Sequence, residues 1–236
     1  MSAAAAEIRH PLMGASVLLT GASGGLGSSL AVELDRRGAL LTLVGRSPER
    51  LEEVPVKAPR SAIDLSSSEG AREAVGQAIA NFGRLDVVIN AVGVVSFGKV
   101  GELSDPVLAE LFRTNVFLPI HLAQAAIEQI EPGGAIVNIS GVITERQLPG
   151  MAAYGASKAA LRGFDEALAR EVRGMRVRVL DVRAPHTETG LAERPLEGMA
   201  PAMAEGASPH VVSSVICDAL ETGSRELSSE AFLNPR

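Results

Sequence analysis

The sequence predicts a three-layer, doubly wound α/β fold with a mostly parallel sheet of about seven strands. Three observations lead there. Short, nearly continuous apolar runs alternate along the chain with segments of helical periodicity, the pattern of a parallel sheet with helices on both faces. The runs are apolar at almost every position, as strands buried on both sides require. The first of them, Ser16-Val17-Leu18-Leu19-Thr20, enters a turn bearing Gly21, Gly24, Gly25 and Gly27. A helix then runs from Ser28 to Arg37, with Leu30, Ala31 and Leu34 on one face. Strand, glycine-rich turn and helix start together form the unit that holds a dinucleotide pyrophosphate.

The totals narrow the class. The chain has 236 residues, 46% hydrophobic and 21% charged, which suits a well-buried core. We expect a disordered tail at residues 1–12 and one domain over 13–236. Its 22 basic and 28 acidic residues leave a net charge of −6, which argues against a nucleic-acid surface. The lone cysteine, Cys217, excludes an intrachain disulfide and suits a reducing cytoplasm. Met1 to Ala6 lacks the basic leader and apolar core of a signal peptide. No apolar run reaches the roughly 20 residues that span a bilayer. A soluble, cytoplasmic protein without a metal site is expected.

Taken in order, Ala39–Val44 is the second buried strand and ends in Gly45-Arg46-Ser47-Pro48. In a dinucleotide fold a carboxylate at this point bonds the ribose 2′-hydroxyl, whereas an arginine accommodates a 2′-phosphate. With Gly45 and Arg46 here, NADP(H) is the preferred cofactor and NAD(H) the second choice. Ser61–Ser66 reads as a third strand, with Ser66 capping the helix that follows. Asp64 beside it reaches the adenine or caps the turn. Leu85–Asn90 is the fourth strand; small Ala91 and Gly93 beyond it leave room for a cofactor, and Asn90 can bond backbone across strand ends. A long helix over Ser104–Ile130 contains Asn115, and Pro119 should disturb its hydrogen bonding. Ala135–Ser140 is the fifth strand, Ala152–Arg173 a second long helix and Val177–Val182 the sixth strand. Residues 185–207 read as a mobile flap, Ser208-Pro209 starts the last helix, and Ala231–Leu233 is an edge strand. Thr20, Arg46, Asn90, Ser140 and Pro185 all end or follow strands, so they share the rim where ligands of such sheets bind.

Tyr154 and Lys158 lie four residues apart and face the same side of a helix. A free phenol has a pKa of about 10, and a neighbouring ammonium favours its ionised form. The pair is thereby a candidate general acid and base.

Thr20-Gly21-x-x-x-Gly25-x-Gly27, Asn90-Ala91-Val92-Gly93, Asn115 and Tyr154-x-x-x-Lys158 occur in the order in which the classical short-chain dehydrogenase/reductase family carries them. From about Met13 to Leu220 the chain resembles that family. The resemblance implies a Rossmann fold and hydride transfer between nicotinamide and a carbonyl or alcohol substrate, with Tyr154 exchanging the proton. It implies that Lys158 binds the nicotinamide ribose and Asn115 holds a water of the proton relay. The remaining cofactor contacts it implies are Thr20, Gly21, Ser23, Gly25, Leu26 and Gly27 at the pyrophosphate, and Arg46, Asp64 and Leu65 at the adenosine. Asn90, Ala91, Gly93, Tyr154 and Pro185 complete them. A homodimer or homotetramer through the two long helices is also implied, where Ala123, Ala125, Ala126, Ala159, Ala160, Ala167 and Ala169 are in excess of one sheet-facing stripe.

Two positions depart from the family. Its catalytic serine, thirteen residues before the tyrosine, is Gly141 here, leaving Ser140 or Thr144 as substitutes. Losing one such donor costs about 10²–10³ in rate. The family's Pro-Gly after the sixth strand is Pro185-His186. The leading expectation is an oxidoreductase weakened by Gly141; the alternative is a cofactor-binding pseudoenzyme acting through protein contacts.

Overall fold

The computed structural model describes residues 11–233; the expected tail falls almost wholly outside them. Seven strands form one parallel sheet in the order β3-β2-β1-β4-β5-β6-β7. They are β1 (Ser16–Thr20), β2 (Leu40–Gly45), β3 (Arg60–Ala62), β4 (Val87–Asn90), β5 (Ala135–Ile139), β6 (Arg178–Val182) and β7 (Glu226–Leu227). The helices are α1 (Gly25–Arg36), α2 (Pro48–Glu52), α3 (Ser68–Phe82), α4 (Asp105–Phe112), α5 (Leu118–Ile127), α6 (Ala152–Glu171) and α7 (Pro209–Thr222).

The apolar strands alternate between two cores. Val17, Leu19 and Val137 face Leu30 and Leu34 of α1 and Ile216 and Leu220 of α7. Leu18, Val88 and Ile136 face Val75 and Ala78 of α3, Leu122 and Ala126 of α5 and Leu168 of α6. Each leucine so buried contributes about 1.5–3 kcal/mol, which is why no strand tolerates an alternating polar face. The order reverses between β1 and β4, and the crevice at that switch point is where ligands of such sheets sit.

Several boundaries differ from expectation. Ser67, rather than Ser66, caps α3, its hydroxyl accepting from Gly70 N at 3.2 Å. The predicted long helix over 104–130 is divided: residues 113–117 form a π-helical turn, with Leu118 N donating to Arg113 O. Pro119 has no N–H to offer the Asn115 carbonyl four residues back, so the chain widens there. Residues 229–232 form a 3₁₀ turn, and the edge strand is the earlier Glu226–Leu227, which pairs with Asp181 and Val182.

Candidate active site

The glycine-rich turn is built by close approach. Gly21 has φ +72°, and a Cβ there would lie 2.8 Å from the Ala91 carbonyl and from Val92 N. A Cβ on Gly27 would run into the Gly21 carbonyl. Gly24 caps α1 without a side-chain hydrogen bond, so the first turn presents its backbone N–H groups outward. That is an anion cradle. Gly25 closes it from the flap side: a Cβ there would lie 2.6 Å from Thr189 O. Leu26 is half-buried behind it.

At the end of β2, Arg46 is exposed, and Arg50 donates to Ser23 O at 2.9 Å. A Cβ on Gly45 would meet the Ser23 hydroxyl at 3.2 Å. Asp64 accepts from Ser66 N at 3.0 Å, which with the Ser66 hydroxyl holds its carboxyl below the usual range. The residue caps its own turn. Leu65 is buried beside it.

Across the sheet, Thr20, Asn90, Asn138 and Asp181 stand in register on four adjacent strands. The Thr20 hydroxyl donates to Asn90 Oδ1 at 3.2 Å, Asn90 Nδ2 to Asn138 Oδ1 at 3.3 Å, and Asn138 Nδ2 to Asp165 Oδ1 of α6 at 2.6 Å. Asn90 also accepts from Val92 N, which shapes the turn over Ala91.

Lys158 is 5% exposed and its Nζ donates to Ile139 O at 2.8 Å. A Cβ on Gly93 would lie 3.4 Å from that Nζ and 3.6 Å from Asn115 Oδ1. The ammonium therefore lies beside the rim. Burial pushes Lys158 down to about 8, against the fields of Asp165 and Asp181, which raise it. Tyr154, half-buried, is pushed up to about 12 by desolvation. The expectation that Lys158 lowers the phenol is corrected here. Burial is the cause of the rise, and one of the three ammonium N–H groups of Lys158 goes to the Ile139 carbonyl.

Three hydrogen bonds hold the Asn115 side chain: Nδ2 donates to Val94 O (2.9 Å) and Ser157 Oγ (3.0 Å), and Oδ1 accepts from Val94 N (3.0 Å). It ties the strand-end loop to α6. Ser140 is wholly buried with its hydroxyl donating to Asp181, so it points into the fold. Thr144 donates to the Gly141 carbonyl at 2.9 Å. Gly141 itself has φ +85° and ψ 161°, a conformation reached almost only by glycine.

The flap after Pro185 is hydrogen-bonded at its base and to the loop after β4. Ala207 N donates to His186 O at 2.7 Å and Glu188 N to Ala207 O at 3.0 Å, closing its base. Leu196 N donates to Val95 O and Glu197 O accepts from Phe97 N, while Glu197 Oε2 accepts from Ser104 N. Sequence reading missed these because they join segments about a hundred residues apart. The flap lines an open cleft of about 500 Å³, with His186, Glu188, Met199 and Met203 among its walls. His186 lies 3.4 Å from Glu188 and lines this cleft.

The short chain dehydrogenase family model matches residues 15–199, which contain the glycine turn, the Asn90 loop, Asn115, Tyr154 and Lys158. The chain belongs to the short-chain dehydrogenase family. That family comprises NAD(P)-dependent oxidoreductases, and the relatives agree. A 3beta-hydroxysteroid dehydrogenase of Mediterraneibacter gnavus is 31% identical over 198 residues, covering 80% of this chain and 72% of its own. A hydroxynaphthalene reductase of Aspergillus fumigatus is 32% identical over 169 residues, 68% of this chain and 62% of its own. A short-chain dehydrogenase of Burkholderia cenocepacia, solved with NADP, superposes with a TM-score of 0.82 at 26% identity over 93% of this chain and 98% of that chain. The pseudoenzyme alternative finds no support among these relatives.

Proposed function

We propose that this dehydrogenase moves a hydride between NADP(H) and the carbonyl or alcohol carbon of a small molecule, with Tyr154 as general acid and base. The observation that carries the proposal is the placement of Lys158 Nζ beside Gly93, one helical turn from the only tyrosine of the chain. The cradle of Gly21, Gly24, Gly25 and Gly27 has the shape for a pyrophosphate, since any side chain at three of these positions would fill or distort it. Thr20, Ser23 and Leu26 frame that cradle. Arg46 would meet the 2′-phosphate, with no carboxylate beside it at Gly45 to repel one. Asp64 and Leu65 would flank the adenine, and Asn90, Ala91, Gly93 and Pro185 the nicotinamide half. When bound, NADP(H) supplies or takes up the hydride.

The protein manages the proton. Burial keeps Tyr154 protonated at neutral pH, so it acts as the acid for carbonyl reduction. Its proton passes to the substrate oxygen as that oxygen gains charge, and Lys158 stabilises the phenolate left behind. Asn115 would hold the relay water, its Oδ1 lying beside Gly93 together with the Lys158 ammonium. Neither Ser140 nor Thr144 offers its hydroxyl to the rim, so substrate orientation lacks one donor and turnover is slow.

Turnover of a panel of ketones and aldehydes with NADPH tests this reading. Measurable activity that Tyr154→Phe abolishes supports it; tight NADP(H) binding without turnover of any substrate returns the pseudoenzyme. We further propose a cytoplasmic homodimer or tetramer through the segments 104–130 and 152–173, where Leu108 of α4 and Phe117 of the π-helical turn are 42% and 53% exposed. Ala123 and Ala126 are excluded from that face, being buried against the sheet. Light scattering showing a monomer at micromolar concentration would sink it.

A further inference from the structure

We propose that Arg194, on the flap, is a contact for the pyrophosphate of the bound dinucleotide, facing the cradle that the glycine turn forms. The inference rests on the cofactor reading above and adds to it a residue from a distant segment of the chain.

The flap is laid against the cradle itself. A Cβ on Gly25 would lie 2.6 Å from Thr189 O and 2.8 Å from its Cα, so the main chain at Thr189 touches the first turn of α1. Further along, Leu196 N donates to Val95 O at 2.8 Å and Phe97 N to Glu197 O at 2.9 Å, which fastens the flap to the loop after β4. The flap is thus attached on both sides of the crevice where the strand order reverses. Arg194 belongs to the short span between these two attachments.

Its side chain reaches back towards the cradle. Nε donates to Gly190 O at 3.0 Å and Nη2 to Thr189 O at 3.3 Å, so the guanidinium is one carbonyl away from Gly25. Two of its five N–H donors are used there and three remain. Left bare, the Thr189 carbonyl would turn the negative end of its dipole towards an anion in the cradle. The guanidinium offsets that dipole and leaves a positive charge beside it. Arg194 is exposed, forms no ion pair among the described residues and is the only Lys or Arg between 185 and 207. The carboxylates of the flap are engaged elsewhere. Glu188 accepts from Gly206 N and Glu197 from Ser104 N. Glu193, whose Oε2 would lie 3.7 Å from a Cβ on Gly190, lines the open cleft with Glu205. The first turn of α1 carries no acidic residue. Outward backbone N–H groups on one side and an unpaired guanidinium on the other suit a phosphate group between them. The pyrophosphate bridge is doubly charged and, unlike the 2′-phosphate, is common to NADP(H) and NAD(H).

Calorimetric titration with NADPH and with NADH is compared in wild type, Arg194→Met and Arg194→Lys. Arg194→Met is expected to weaken both dinucleotides by the same factor, about tenfold or more. The loss should shrink at about 1 M salt, where charges are screened within about 3 Å. Arg194→Lys, which keeps the charge, should recover part of the affinity. Unchanged affinity in a folded Arg194→Met protein overturns the proposal. So does a loss confined to NADPH, which would assign Arg194 to the 2′-phosphate. An equal loss in the lysine variant that salt leaves untouched also overturns it, because a residue that only braces the Thr189 turn gives that result. Should Arg194→Met not fold, phenylglyoxal modification of the wild type takes its place. NADPH must then shield Arg194 while leaving exposed Arg225 reactive, since that residue precedes β7 at the end of the sheet opposite the rim; labelling of Arg194 that NADPH does not slow sinks the proposal. A wild type that binds neither dinucleotide refutes the cofactor reading. Inorganic pyrophosphate must in that case shield Arg194 by itself, or this proposal fails as well.

Discussion

Replacing Gly141 by serine sets two effects of similar size against each other. A well-placed hydroxyl donor to the substrate oxygen is worth roughly 2.7–4 kcal/mol in the transition state. There is space for the side chain, since the nearest atom to a Cβ is Ala184 O at 3.9 Å. The backbone is the obstacle. At φ +85° and ψ 161° a side chain costs about 1–3 kcal/mol. The loop cannot simply rotate away, because Gly141 N is held by Val182 O at 3.0 Å and Val142 N by Ala184 O at 2.8 Å. We therefore expect the strain to appear in stability, as a fall of about 2–12 °C in Tm for a chain of this size. Turnover should rise, by up to about tenfold or a hundredfold if the hydroxyl is well placed. Gly141→Ala supplies the control, carrying the same strain without the hydroxyl. The ratio of the two rates isolates the donor, and the mean of their Tm shifts isolates the backbone. If both variants melt with the wild type, the assigned conformation is wrong. A serine variant no faster than the alanine variant means that a side chain at 141 does not reach the substrate.

Other outcomes follow from the same site. Ser140→Ala should destabilise the fold by leaving buried Asp181 short of a donor, by about 1–3 kcal/mol, while retaining turnover in the surviving folded protein. Complete inactivation of that variant without loss of Tm would show that Ser140 has the catalytic role its burial denies. Arg46→Ala should weaken NADPH binding and leave NADH nearly untouched in calorimetric titration; a variant that keeps its preference counts against Arg46 as the 2′-phosphate contact. Glu33, bonded by Arg36 and Arg37, has its carboxyl lowered from the ordinary 4.5 to about 2. Its stabilisation is complete above about 4.5 and is lost as pH falls through about 2, so Glu33→Gln should flatten the acid limb of Tm against pH in that window. An unchanged acid limb would mean that the pair is too well screened to matter.

By itself the sequence determined the order of strands and helices, the glycine turn, the break at Pro119 and the spacing that sets Tyr154 and Lys158 on one face. These are consequences of neighbours within about seven residues, where periodicity, missing N–H groups and missing side chains act directly. It also raised Gly141 and Arg46 as candidates, since a departure from a local motif is visible in one dimension. Tertiary structure decided what those residues face. It buried Ser140 against Asp181, forty-one positions away, and so removed a hydroxyl that the chain order had placed at the rim. It tied the Asn115 side chain to Val94 and Ser157, and bonded the flap to Val95 and Phe97. It set the Tyr154 phenol in surroundings that raise rather than lower it. The sequence set Thr20 and Asn90 on one rim, but the polar row on from them to Asn138 and Asp165 had no signal in it, because strands β1, β4 and β5 come into register only when the crossovers close. Burial and long-range register are properties of the packed sheet, and the ionisation of Lys158 depends on both.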